Sequence, residues 1–114
     1  MPAKKNPLSL NPLQLKTLTL IQAIAKLPDY GRAGDEPGSF VIRALPHPHG
    51  DHFHLGGVVV AARDATGLGN QSVWVALTRK GLLRELPSGE ALLTPQGALY
   101  ETGLGDTMLH KSPD

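Results

Sequence analysis

The chain has 114 residues, 40% of them hydrophobic and 18% charged, which is the size and composition of one globular domain. A net charge of +1 with neutral histidines gives no bias toward nucleic acid or acidic partners. The lack of cysteine excludes disulfides, thiolate zinc sites and cysteine catalysis. No apolar run approaches the ~18 residues of a membrane span, so we expect a cytoplasmic, bacterial-type domain without a membrane partner.

The first strong signal along the chain predicts a long helix. Asn11 is a favourable N-cap, and Pro12 suits the first helical position because its missing N–H has no partner there. Pro28 ends the helix, since the residue before a proline disfavours helical angles. The helix is therefore predicted over residues 12–27, with an apolar stripe at helical spacing. The stripe consists of Leu13, Leu20, Ile24 and Leu27.

Residues 40–62 predict a central β-hairpin. Gly50-Asp51 stands between two alternating runs, and both residues tolerate the backbone angles of a two-residue turn. That turn places His49 opposite His52 and His47 opposite His54, so the four histidines share one face. The other face is apolar throughout, which supports the register. The inner half of the histidine face carries aliphatic residues that predict a homodimer surface. These are Val41, Leu45, Val58 and Val60.

The second half predicts a helix, a short hairpin and a last helix. Asn70 is an N-cap candidate for a helix over 71–80, and Gly81 stands where a terminating glycine belongs. Strands over 82–86 and 90–94 follow, joined by the turn-forming Pro87–Glu90. Thr94-Pro95 then repeats the cap-and-proline signature and opens a helix over 95–102. We expect a flexible arm at 1–10, one domain at 11–104 and a flexible tail at 105–114.

This second half resembles a winged-helix (MarR-like) domain over residues 73–104. The resemblance lies in the Arg79-to-Leu83 step, in the Pro87–Glu90 turn and in the Leu93-to-Gly97 signature. It implies an α+β, winged-helix-like small domain with a long N-terminal helix, a central β-hairpin, a second helix, a short wing hairpin and a short C-terminal helix. The chain departs from that family where a hairpin replaces the helix that normally precedes the recognition helix.

The resemblance implies a non-enzymatic binding module, for DNA as in a transcriptional regulator or for a protein partner. The candidate nucleic-acid contacts are Gln71, Ser72, Arg79, Lys80 and Arg84, with Lys4 and Lys5 as an arm. The basic residues stand at the C-terminal end of the second helix, whereas helices of this type usually present their N-terminal residues to bases. Both classes of partner therefore stay open.

The segment HPHGDHFH predicts an alternative function, a metal-binding domain, for which zinc-hydrolase-like activity is one option. Imidazole nitrogens are common Zn²⁺ ligands, and a carboxylate beside them can ligate or orient a ring. The candidate set is His47, His49, His52 and His54, with Asp51. The match to the HxHxDH pattern of metallo-β-lactamase-like hydrolases lacks the further ligands and length that those enzymes need. Two other interpretations stay open: a solvated polar face and a pH-sensitive surface.

Overall fold

The computed structural model describes residues 6–111, which form an α+β fold, as the sequence predicts. The helices are α1 (Pro12–Ala25), α2 (Gln71–Arg79), α3 (Pro95–Leu99) and α4 (Gly105–Met108), with a 3₁₀ helix at Ala62–Gly69. The strands are β1 (Gly31–Ala33), β2 (Phe40–Ile42), β3 (His52–Leu55), β4 (Val58–Ala61), β5 (Leu83–Glu85), β6 (Ala91–Leu93) and β7 (His110–Lys111). Within this range no helix is long and apolar enough to cross a membrane.

The strands form two antiparallel sheets. The first has the order β1-β2-β6-β5, so its centre joins strands from opposite halves of the chain. The second has the order β3-β4-β7, with β7 supplied by the last described residues. Each sheet therefore closes a long loop of chain, which couples the two halves of the sequence into one fold.

Helix α1 is the hub of the core. Side chains from more than one of its faces are buried, among them Leu18, Ile21 and Ile24. It packs against the 3₁₀ helix, α2, α3 and three strands of the first sheet. Even Thr17 and Thr19 are buried, and their hydroxyls donate to backbone oxygens one turn earlier in α1. The breadth of the buried surface follows from the broad apolar stripe of the sequence.

Local capping chemistry sets the helix starts where the sequence predicts them. The Asn11 side chain accepts from the backbone N–H of Gln14, whose side chain accepts in return from the Asn11 N–H, which is a full capping box. Asn70 caps α2, and Thr94 caps α3. The helices end slightly earlier than predicted, with α1 stopping at Ala25 and α3 at Leu99. The starts are confirmed because a cap depends only on residues within one turn.

The predicted 40–62 hairpin is wrong apart from its tip. Phe40–Ile42 pairs with β1 and with β6, not with the segment near residue 60. The hairpin that forms joins β3 to β4 through Gly56-Gly57, with Gly56 at φ +61°. Pro46 and Pro48 have no N–H to donate to a ladder, and adjacent glycines favour a turn over a strand. His54 consequently pairs with Val59, and His47 is not its partner.

The same correction changes the surroundings of the aliphatic residues from which the homodimer was predicted. Val41 and Val60 are almost completely buried inside the chain. Leu45 and Val58 are half-buried and pack against the core. These four aliphatic residues are therefore at least half-buried within one chain, and the homodimer stays a prediction.

Residues on both sides of the predicted domain boundaries pack onto the domain. Leu10 is buried in the core, and Asn6 bonds to both the N–H and the carbonyl of Leu10. The hydroxyl of Tyr100 donates to the Asn6 side chain. At the other end, Met108 is buried and α4 leads into β7. The expected flexible arm and tail otherwise lie, at 1–5 and 112–114, outside the described residues.

Replacing Gly67 with alanine should destabilise the fold by about 1–3 kcal/mol. A Cβ at Gly67 would stand 1.8 Å from Thr17 Oγ1, so the 3₁₀ helix would have to move away from α1. Gly69 of the same 3₁₀ helix has nothing within 4 Å of an added Cβ, which makes Gly69→Ala the matched control. Urea unfolding followed by circular dichroism measures both. Equal free energies of unfolding for the two variants would contradict the close approach.

Candidate binding surfaces

We call residues 46–54 the histidine-rich tip. Two of its histidines lie on one face of β3. Strand side chains alternate, so Phe53 and Leu55 pack on the core while His52 and His54 point to the opposite side. Leu55 is almost fully buried, which fixes the register of the strand and with it the direction of both imidazoles. The aliphatic core contacts of β3 thus decide where the two rings stand.

The predicted turn at Gly50-Asp51 brings His49 to the same place. The His49 N–H donates to the His52 carbonyl over 2.7 Å, and the His52 N–H donates back over 3.3 Å. Gly50 has φ +66°, which a turn of this length requires at its first central residue. The Ala62 N–H donates to the carbonyl of Asp51 over 2.8 Å, so the turn is tied to the start of the 3₁₀ helix. The tip is therefore held by backbone bonds on both sides.

Three imidazoles meet at this tip. The Nε2 atoms of His52 and His54 are 3.1 Å apart, and their ring centroids are 4.8 Å apart in an edge-to-face arrangement. The ring of His49 also contacts that of His54, with centroids 5.4 Å apart. Within residues 6–111, no group of three His, Asp or Glu side chains is placed to hold a metal ion in the present conformation. His54 is thus in ring contact with each of the other two.

Asp51 orients one of these rings. Its Oδ1 lies 3.2 Å from His52 Nδ1, on the ring edge opposite the contact with His54. The hydrogen bond from His52 lowers the pKa of the Asp51 carboxyl below its ordinary value, and the charges of His52 and Arg63 act in the same direction. Asp51 is fully exposed and stays ionised at neutral pH, which favours the His52 tautomer that keeps its proton on Nδ1.

Two further histidines stand apart from this group. His47 is exposed in the segment between Pro46 and Pro48, and the rings that contact one another are those of His49, His52 and His54. His110 pairs with Val59 in the second sheet, and Val59 pairs in turn with His54. His110 thus shares a sheet face with His54 but lies two strands away. The sequence predicted a flexible tail at this position, because no residue near His110 indicates that β7 pairs with β4.

A second surface lies between α2 and the β5–β6 hairpin, and we call it the α2 groove. Helix α2 buries Val73 and Leu77, so its opposite side is exposed. The groove has a volume of about 300 Å³. Residues that line it include Gln71, Trp74, Val75, Thr78, Arg79 and Arg84.

Trp74 forms the middle of this surface. Its indole nitrogen donates to the carbonyl of Leu68 over 2.9 Å, which fixes the ring while leaving it half-exposed. Beyond the ring, a second depression of about 430 Å³ continues past Gly89 toward Arg43. Val75 is 42% exposed at the edge of the groove, and the only other large apolar side chain so exposed in residues 6–111 is Leu99 on α3, at 84%. Neither Trp74 nor Val75 is among the candidate contacts that the sequence predicts.

The structure brings together four of the five predicted nucleic-acid residues. Gln71, Arg79 and Arg84 line the α2 groove, and Ser72 lies with Gln71 on the adjoining exposed side of α2. Lys80 is directed elsewhere, since its ammonium donates to the carbonyl of Leu8 over 2.7 Å. Lys4 and Lys5 lie outside the described residues. The charge along the groove is mixed, because Glu85 and Glu90 accompany the arginines.

The two surfaces share no residue. None of residues 46–54 lines the α2 groove or the depression beyond Trp74. Comparison with protein-family models, curated proteins and solved structures finds no match for this chain. Conclusions about activity therefore depend on the geometry of these two surfaces.

The pKa of Asp51 should rise toward its ordinary value in His52→Ala, because its largest cause of lowering is the His52 hydrogen bond. A carboxyl pKa that is lower in the folded protein than in the unfolded chain stabilises the fold at pH values above the ordinary pKa. That stabilisation is lost as the pH falls through the lowered pKa. Carboxyl carbon chemical shifts followed from pH 6 to about pH 2 measure the change. His47→Ala is the control and should leave the Asp51 titration unmoved. An unchanged Asp51 pKa in His52→Ala would contradict the contact.

Proposed function

We propose that the protein is a non-enzymatic binding module and that the α2 groove takes a segment of another protein chain. The observation that carries this proposal is the exposed Val75 beside the fixed, half-exposed ring of Trp74. Aromatic side chains and arginines over an apolar floor are enriched at protein interfaces and among their energetically dominant residues. Arg79 and Arg84 at the groove make no ion pair within residues 6–111, so their guanidinium groups are available to a partner's carboxylates.

The charges favour a protein over duplex DNA. The groove and its continuation carry three arginines, which are Arg43, Arg79 and Arg84, and two glutamates, which are Glu85 and Glu90. Phosphate binding gains its affinity from several cationic contacts that release counterions. Two glutamates within the same surface oppose that gain, and Lys80 is already bonded to Leu8. A peptide that combines apolar and acidic side chains matches this surface better.

The winged-helix resemblance is compatible with this proposal. The resemblance implies a helix, a strand, a turn, a strand and a helix for the second half of such a domain. The chain has this order in α2, β5, the turn, β6 and α3. Winged helices serve as protein-interaction modules as well as DNA readers. The proposed contact surface combines the exposed side of α2 with the hairpin that follows it.

A displayed random-peptide library selected on the folded protein tests the proposal. We expect selected peptides to combine an aromatic or large aliphatic residue with acidic residues, and to shift the amide signals of residues 71–79 and 83–91. Trp74 is the only tryptophan of the chain, so its fluorescence reports occupancy directly. Val75→Asp and Arg79→Glu should each weaken binding at least about tenfold, which corresponds to ~1.4 kcal/mol.

The matched control is Leu99→Asp, because Leu99 is even more exposed than Val75 but lies on α3. It should leave peptide affinity unchanged. Peptides whose binding survives Val75→Asp, or whose shifts fall outside the groove, would contradict the proposal. A parallel titration with duplex DNA at low and high salt covers the other partner class. Salt-sensitive shifts over residues 70–84 would reject the protein partner in favour of DNA.

A further inference from the structure

The histidine-rich tip has no part in the binding proposed for the α2 groove. We propose that His49, His52 and His54 bind one divalent transition-metal ion of the Zn²⁺ type, and that Asp51 is a positioning residue for His52.

The first two ligand atoms are already converged. The Nε2 atoms of His52 and His54 face each other at 3.1 Å. For an ion ~2.0–2.1 Å from each nitrogen, the usual Zn–N distance, the angle between the two metal–nitrogen bonds would be about 100°. That angle lies between the right angle of octahedral or square-planar coordination and the wider tetrahedral angle. The two nitrogens are therefore already at a chelating separation, and a rotation of each ring directs its lone pair to the ion.

The third ring is within reach of the same point. Imidazoles that share one tetrahedral ion through Nε2 have ring centroids about 5 Å apart. The observed separations from His54 are 4.8 Å to His52 and 5.4 Å to His49, which bracket that value. His49 is exposed, and exposed side chains change rotamer freely on the nanosecond scale. A rotation of His49 completes a set of three ligands and leaves at least one coordination position for water.

The proton arrangement leaves the Nε2 of His52 ready for a metal and requires one proton shift within His54. With the His52 proton held on Nδ1 by Asp51, its Nε2 presents a lone pair, and the hydrogen bond to His54 is donated by His54 Nε2–H. When the ion binds, the His54 proton moves to Nδ1 by tautomer exchange, so both rings stay neutral. A carboxylate on the far nitrogen is the usual partner of a metal-bound histidine, because it fixes the ring and raises its basicity.

A merely solvated histidine face explains this arrangement less well. Imidazoles that serve only as polar surface gain nothing from clustering, and two charged rings at this spacing would repel each other. Here one strand and one turn, each held by backbone bonds, direct three rings to a common place. A turn held by backbone hydrogen bonds thus brings the imidazoles together.

The donor set selects the class of ion. Imidazole nitrogen suits Zn²⁺, Cu²⁺ and Ni²⁺, whereas Mg²⁺ and Ca²⁺ prefer sets of oxygen ligands. His47 is left out of the site because its neighbours Pro46 and Pro48 restrict the backbone and no ring contact joins it to the other three. His110 is left out because Val59 lies between it and His54.

Calorimetric titration of the untagged chain with ZnCl₂ tests the site, with nitrogen chemical shifts of the imidazoles as the second readout. We expect one Zn²⁺ per chain and coordination shifts at Nε2 of His52 and His54. His52→Ala and His54→Ala should each weaken Zn²⁺ affinity at least about tenfold. Both side chains point away from the core, so the amide spectrum should show each variant folded.

His47→Ala and His110→Ala are the matched controls, and each should bind within about twofold of the parent chain. The proposal is overturned if the parent chain takes no Zn²⁺ at millimolar concentration. It is also overturned if His52→Ala and His54→Ala bind as the parent does, or if either control weakens binding as strongly as His54→Ala. None of these outcomes bears on peptide binding in the α2 groove, so the two proposals fail separately.

Asp51 has its own test, which separates positioning from a general effect on stability. Asp51→Asn should lower Zn²⁺ affinity about tenfold and shift the tautomer balance of His52 toward Nε2–H. Asp51→Glu, which restores a carboxylate, should recover part of the affinity and the Nδ1–H tautomer. An Asn variant with unchanged affinity and unchanged His52 nitrogen shifts would remove Asp51 from the site.

Discussion

The burial of α1 is the constraint on which the rest of the fold depends. The helix is enclosed by the first sheet, by α2 and α3 and by the 3₁₀ helix, and the approach of the 3₁₀ helix is possible only because Gly67 has no side chain against Thr17. A buried Thr19–Thr102 hydrogen bond of 2.6 Å joins α1 to the segment before α4. An ion pair between Lys16 and Asp64 reinforces the contact with the 3₁₀ helix at the edge of the core.

The geometry of both candidate surfaces depends on this packing. The 3₁₀ helix holds the turn at Asp51 through the Ala62 N–H, and it fixes Trp74 through the carbonyl of Leu68. The 3₁₀ helix, packed on α1, thus anchors the histidine-rich tip through Ala62 at its beginning. It anchors the α2 groove through Leu68 near its end. A loss of the α1 contact would loosen both surfaces together, although they share no residue and are proposed to bind different ligands.

The sequence predicted those parts of the fold that depend on neighbouring residues. Asn11, Asn70 and Thr94 cap their helices because capping needs a side chain and an N–H within one turn. The turn at Gly50-Asp51 was equally local, and it correctly paired His49 with His52. Strand partners were not predictable in this way. Phe40–Ile42 pairs with Ala91–Leu93 from the other half of the chain, and no pattern within residues 40–62 contains that information.

The same distinction applies to the candidate sites. The grouping of His49, His52 and His54 follows from one turn and one alternating strand, both visible in the sequence. The position of His47 was mispredicted because it required the long hairpin to continue past two prolines. The α2 groove needed the tertiary packing of α2 against β5 and β6, so Val75 and Arg43 carried no signal until the structure placed them beside Trp74.

X-ray absorption at the zinc edge of the loaded chain is the most direct test of the central claim, that the fold groups three imidazoles for one metal ion. We expect nitrogen and oxygen ligands at ~2.0–2.1 Å, with outer-shell scattering from three imidazole rings. A first shell without imidazole scattering, or with a single ring, would contradict it.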